Sequence, residues 1–96
     1  MAKLVWTEES ERWLKDIYDY IALDNPDAAA SVLAGIYDRA QSLLQFPESG
    51  YKYEGNDNDV RILLYEHYRI TYQISGDDIV ILGVFHGALA IERYLI

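Results

Sequence analysis

The sequence predicts an α+β fold, an antiparallel sheet with an N-terminal αα-hairpin packed on one face. Three observations predict it. Two long stretches with helical spacing of apolar residues come first, Trp13 to Ile21 and Ala29 to Leu44. Three apolar or alternating stretches follow from Val60, separated by turns short enough for hairpins. One brief β-like run, Lys3 to Trp6, precedes everything. Helices set apart from a run of hairpin-linked strands favour a two-layer arrangement with the order β-α-α-β-β-β. A chain of 96 residues has room for a single domain, spanning residues 1–96.

Each element has a local reason. Thr7 is a good N-cap, and Glu8, Glu9 and Glu11 set negative charge at the positive end of a helix dipole. Trp13, Leu14, Ile17, Tyr18 and Ile21 recur at helical spacing, so the first helix is predicted over Glu8 to Leu23. Asp24-Asn25-Pro26 stops it. Asn25 can cap the next helix, with Pro26 at the first position, where a missing N–H costs nothing. Ala29, Val32, Leu33, Ile36, Tyr37, Ala40, Leu43 and Leu44 form the stripe of a second helix, predicted from Pro26 to about Gln45 and ended by Pro47 and Gly50. Tyr51 to Asp59 reads as a polar loop. Val60 to Tyr65 and Tyr68 to Ile74 read as strands, and Ser75 to Asp78 as a turn. Ile79 to Phe85 is a continuous apolar strand of the kind found inside a sheet. The tail, Ala88 to Ile96, fits either a short helix or an edge strand.

Composition excludes several function classes. With 16 acidic and 8 basic residues the net charge is −8. A nucleic-acid binder carries a basic footprint that displaces counterions from phosphates, so direct nucleic-acid binding is not expected. The chain has no cysteine, hence no disulfide and no thiolate nucleophile or metal ligand, which suits a reducing cytoplasm. No stretch approaches the ~20 apolar residues of a membrane span. The opening, MAKLVWTEESERW, lacks the apolar run of a signal peptide. No cofactor or metal is expected. Nine tyrosines are many for this length. They suit half-buried sheet and helix faces as well as interfaces.

Several motifs occur in a fixed order. The opening strand runs into WTEESERWLKDIYDYIALDNPDAA; LLQFPESG closes the helical hairpin; YRITYQISGDDIVILGVFHG ends the sheet. In this order and spacing the chain resembles the RelE/ParE toxin superfamily of type II toxin–antitoxin modules over about residues 3 to 87. Family members similarly show a helix ending near NP-x-A-A, a break at P-x-x-G, a strand with Y-R-(apolar)-x-Y, and a closing strand ending in His-Gly. The first two signals place the chain nearer the ParE branch. The resemblance implies a RelE/ParE-like fold and a cytoplasmic toxin neutralised by a cognate antitoxin, with a role in plasmid stabilisation. It implies partners in that antitoxin and, for the ParE branch, in DNA gyrase. A homodimer or a heterotetramer with the antitoxin is the assembly it suggests. The RelE branch implies instead a ribosome-dependent messenger-RNA endonuclease. A third reading is a non-toxic homologue acting as an interaction or co-repressor protein.

Candidate residues follow from the chemistry each reading needs. RelE-type RNA cleavage uses clustered Lys and Arg to stabilise phosphate charge, with a tyrosine or histidine moving protons. The catalytic candidates are Arg61, Arg69, His86 and Tyr94. Past His86-Gly87, where the family often carries arginine, this chain reads Ala88-Leu89-Ala90. That substitution argues against ribonuclease chemistry. His67, in a predicted turn, is the other histidine, far from His86 in sequence, and two distant histidines make a poor metal site. Structurally, His86 is expected to close its strand and donate to a backbone carbonyl or carboxylate. Arg61 and Arg69 fit either contact with a partner carboxylate or a salt bridge to one of the surplus acids. The partner-binding candidates are Arg61, Tyr68, Arg69, Leu89, Ile91 and Tyr94, the last three in an apolar tail expected to be structural or partner-facing.

Overall fold

The computed structural model describes residues 2–54 and 59–87. The elements are β1 (Leu4–Trp6), α1 (Glu8–Ala22), α2 (Pro26–Gln41), a 3-10 turn (Ser42–Leu44), β2 (Tyr51–Lys52), β3 (Arg61–Tyr65), β4 (Tyr68–Ser75) and β5 (Asp78–His86). They form a helical hairpin on a sheet ordered β1-β5-β4-β3-β2. The tail from Ala88, with Leu89, Ile91 and Tyr94, lies outside the described residues.

The α+β class and the hairpin are as predicted, with two refinements in the sheet. It is mixed rather than wholly antiparallel, because β1 pairs parallel to β5, Leu4 opposite Ile79 and Trp6 opposite Ile81. A parallel neighbour needs a long crossover, and here the whole chain between Trp6 and Asp78 serves as one. Tyr51 and Lys52, read as loop, pair antiparallel with Ile62 and Arg61 as a two-residue edge strand. Helix α2 ends at Gln41, and the predicted last turn is the tighter 3-10 form.

The caps work as the residue types demand. The Thr7 hydroxyl accepts from the Ser10 N–H at 3.1 Å and donates to the Ile81 carbonyl at 2.7 Å. One side chain therefore caps α1 and fastens it to β5. Replacing Thr7 with Ala is expected to cost about 1–2 kcal/mol, the upper part of the N-cap range, because a cross-element bond goes with the cap. Chemical denaturation checks it. Asn25 caps α2 by accepting from the Ala28 N–H at 3.1 Å, with Pro26 at the first position.

The core lies between the helices and one sheet face. Leu14, Ile36, Ala40, Leu43, Leu63, Ile70, Tyr72, Ile79, Ile81 and Val84 are all buried there. A β-bulge shapes this face. Thr71 pairs with Gly83 but Tyr72 pairs with Ile81, so the register skips Leu82. Before the skip Ile79 and Ile81 face the helices; after it Val84 and His86 do, opposite Ile70 and Tyr68. Phe85 is thereby turned to the other face, where it packs with Ile62, Tyr53 and Trp13. Gly76 supplies the left-handed residue of the β4–β5 turn at φ +61°.

Candidate functional site

The hairpin geometry brings several predicted residues to one end of the sheet. Tyr68 and His86 sit opposite each other on β4 and β5, and the Gly87 N–H donates to the His67 carbonyl at 2.6 Å. The two histidines, 19 positions apart in sequence (86 − 67), are therefore neighbours, with ring centroids 6.3 Å apart and planes at 27°. The expectation of two distant histidines is corrected on this point, because antiparallel pairing folds sequence distance away. Tyr68 meets His86 edge-on at 5.6 Å. Burial, with the Glu66 carboxylate second, pushes the Tyr68 phenol up from its ordinary value of 10.0. It stays protonated near neutrality. Glu66 itself takes the left-handed conformation, φ +51°, to close the tight β3–β4 turn.

Arg69 does not converge with this imidazole pair. It lies opposite Leu64 and Phe85, on the face away from the helices, while Tyr68 and His86 lie on the helix face. Both faces meet only at a shallow depression around the strand ends, lined by Leu64, Glu66, His67, Tyr68, Arg69, His86 and Gly87. Within ion-pair distance Arg69 has no carboxylate among the described residues. Arg61 is placed elsewhere. Its guanidinium donates to the Gly50 carbonyl at 2.9 Å, lies 4.0 Å from the Glu48 carboxylate, and is 16% exposed. It braces the Pro47–Gly50 turn. Among the described residues no three of His, Asp and Glu form a group that could hold a metal ion.

The depression thus offers one guanidinium, two imidazoles, a neutral phenol and a carboxylate. A phosphodiester-cleaving centre stabilises added charge with several donors aimed at one point. One arginine beside Glu66 supplies less than that among the described residues.

A second surface was missed by sequence reasoning. Trp13, Asp16, Ile17, Tyr20 and Ile21 of α1 form one wall of an apolar groove, with Tyr68, Val84 and His86 as the other. The groove exists because β1 pairs with β5 only as far as Ile81, so α1 borders β5 beyond that point. Trp13 fills part of this border and packs edge-on against Phe85 at 4.6 Å. Tyr20 is 79% exposed, and Leu23, just past the helix, is 88% exposed. The signal was present in the spacing. Positions 13, 16, 17 and 20 form a second helical stripe beside the core stripe of Leu14, Ile17 and Ile21.

The structure described as "Chromosomal ParDE TA system from P. aeruginosa" matches with a TM-score of 0.76 and 27% identity, covering 90% of this chain and 96% of that one. The class is that of a toxin of a type II toxin–antitoxin module. The Sinorhizobium fredii protein named "Putative toxin Y4kP" is 37% identical over 84 residues, 88% of this chain and 86% of its own length. The family model described as "ParE toxin of type II toxin-antitoxin system, parDE" matches residues 4–90. The chain belongs to this ParE toxin family.

Proposed function

We propose that the protein acts by binding other proteins: DNA gyrase as the target it inhibits, and a cognate antitoxin that neutralises it. The observation that carries this reading is the contrast between its two surfaces. The strand-end depression has Arg69 as its single arginine or lysine among the described lining residues. The α1 groove presents large apolar side chains to solvent. Large exposed apolar patches mark interaction sites. Membership of the ParE family supports the choice of gyrase and antitoxin. Catalysis on RNA would ask more positive charge of this chain than the described residues concentrate.

Induced expression is expected to arrest growth, and co-expression of the adjoining gene is expected to restore it. The purified protein is expected to inhibit supercoiling by gyrase. Primer extension on transcripts from induced cells is expected to show no new codon-phased ends. Phased cleavage lost on changing Arg69 or His86 would transfer the activity to the strand-end depression and a RelE-type reaction. Normal growth, with the complex still formed, would favour a non-toxic interaction or co-repressor protein.

A further inference from the structure

We infer that residues 88–96 dock back on the helix-free face of the sheet, where apolar side chains of that segment, Leu89 and Ile91 first, cover Phe85 and Ile62. This goes beyond the proposed function and draws on neither gyrase nor an antitoxin. Both helices lie on the other face, against Leu63, Ile70, Tyr72, Ile81 and Val84. The helix-free face carries Ile62 and Leu64 on β3, Arg69 and Thr71 on β4, and Gly83 and Phe85 on β5. A bare sheet face would leave these residues in contact with water. Here Ile62 is 1% exposed, Thr71 0% and Phe85 2%. Among the described residues, the apolar side chains packed on Ile62 and Phe85 are Trp13 and Tyr53. Trp13 comes from α1 at the β5 border, and Tyr53 from just past β2 at the other. Thr71 lies between them on the central strand, and its hydroxyl donates to the Gly83 carbonyl at 3.1 Å in a buried bond. A centre this dry needs more apolar cover than two aromatic rings at the borders provide.

These exposures belong to a single chain, so neither a partner nor a second copy supplies the cover. Within the chain, the internal stretch outside the described residues is Gly-Asn-Asp-Asn at 55–58, with no apolar side chain to contribute. Residues 88–96 carry Leu89, Ile91, Tyr94, Leu95 and Ile96. They follow directly on Gly87, whose N–H is tied to the His67 carbonyl at 2.6 Å, so the segment starts beside the face it covers. Reach is ample. Passing from β5 over β4 to β3 takes about 10 Å at the spacing of neighbouring strands, and the segment spans up to about 30 Å when extended. Docking takes its aliphatic side chains out of water together with those of Ile62 and Phe85, which is the favourable direction of the hydrophobic effect. Leu64, on the same face, is 52% exposed, so the cover stops short of it.

The test uses the full chain with no partner present. Because the sequence has no cysteine, an introduced pair is the sole target of a thiol cross-linker. Glu92→Cys is combined with Leu64→Cys on the helix-free face, or with Tyr37→Cys on α2; both of these partner positions are exposed. A short bismaleimide is expected to join Glu92→Cys to Leu64→Cys in clear preference to Tyr37→Cys. Separately, Leu89→Ser and Ile91→Ser are each expected to lower the melting temperature by about 5–15 °C, as loss of a buried aliphatic side chain does in a small domain. Should a serine variant fail to fold, the cross-linking pairs still decide the face. Equal cross-linking at both positions, a preference for Tyr37→Cys, or no cross-link to Leu64→Cys overturns the assignment. Wild-type melting in both serine variants overturns it as well, because the segment would then be making no apolar contact with the sheet.

Discussion

Tyr72→Phe is expected to destabilise the protein by about 2–4 kcal/mol although it removes a single oxygen atom. The phenol is fully buried, accepts from the Gly50 N–H at 3.0 Å and donates to the Pro47 carbonyl at 2.7 Å. Deleting it strands two backbone groups, each costing about 1–3 kcal/mol if left unpaired. For a chain of this size, about 4–8 °C per kcal/mol places the drop in melting temperature at roughly 8–32 °C. The same lock explains Gly50. A Cβ there would sit 2.7 Å from the Tyr72 ring and 2.8 Å from the Ile62 carbonyl, so no side chain fits. A loss below about 1 kcal/mol on Tyr72→Phe would mean that water takes the place of the hydroxyl, and that the Pro47–Gly50 turn is not held by this residue.

The lock also has a pH signature. Burial, the largest influence, pushes the Tyr72 phenol up from its ordinary value of 10.0, outweighing the Gly50 hydrogen bond and the nearby Arg61. A folded-state value above the unfolded one means the stabilisation is complete below about pH 10 and declines as pH rises beyond it. Titrating stability into the alkaline range should show a decline that is smaller in the Tyr72→Phe variant.

Ile36→Ala is expected to cost about 2–5 kcal/mol, the range for truncating a large aliphatic residue in a close-packed core. Ile36 has no solvent exposure and sits in the cluster joining α2 to the sheet. The consequence reaches function through the fold. The α1 groove holds its shape because α1 rests on α2 and β5, and a domain with marginal stability loses binding as its unfolded fraction grows. Equilibrium denaturation measures the loss, and complex formation below the melting transition should be retained. A variant that melts like wild type would show that α2 is packed differently from the arrangement described.

Local rules in the sequence account for most of the helical layer. Thr7, Asn25 and Pro26 start their helices where capping chemistry requires, and the apolar stripes assign the buried faces. The strands of the β3–β4–β5 meander were equally legible, because tight turns at Glu66-His67 and Gly76-Asp77 leave adjacent strands few alternatives. The ParE-like order of motifs was legible as well. The candidate site was less so. Arg61 and Arg69 look equivalent in sequence, each following an apolar or aromatic residue on a strand. One is drawn to the Gly50 carbonyl, and the other lies on the far face from Tyr68 and His86. Spacing alone carries no record of which loop comes back to meet a side chain.

The sequence by itself determined the α+β class, the capped helical hairpin and the acidic, cysteine-free character, all of which depend on short-range chemistry or composition. Tertiary structure alone decided three things. It placed β1 parallel beside β5, a pairing between residues more than 70 positions apart that no local signal encodes. It brought His67 next to His86 through the antiparallel register. And it set the face on which His86 stands. Strict alternation along β5 would put Phe85 with Ile79 and Ile81 against the helices, and His86 on the other side. The skip at Leu82 reverses the alternation, so that Val84 and His86 line the groove and Phe85 turns away. One extra residue in a strand exchanges its faces, and which strand absorbs it depends on the packing of the whole sheet.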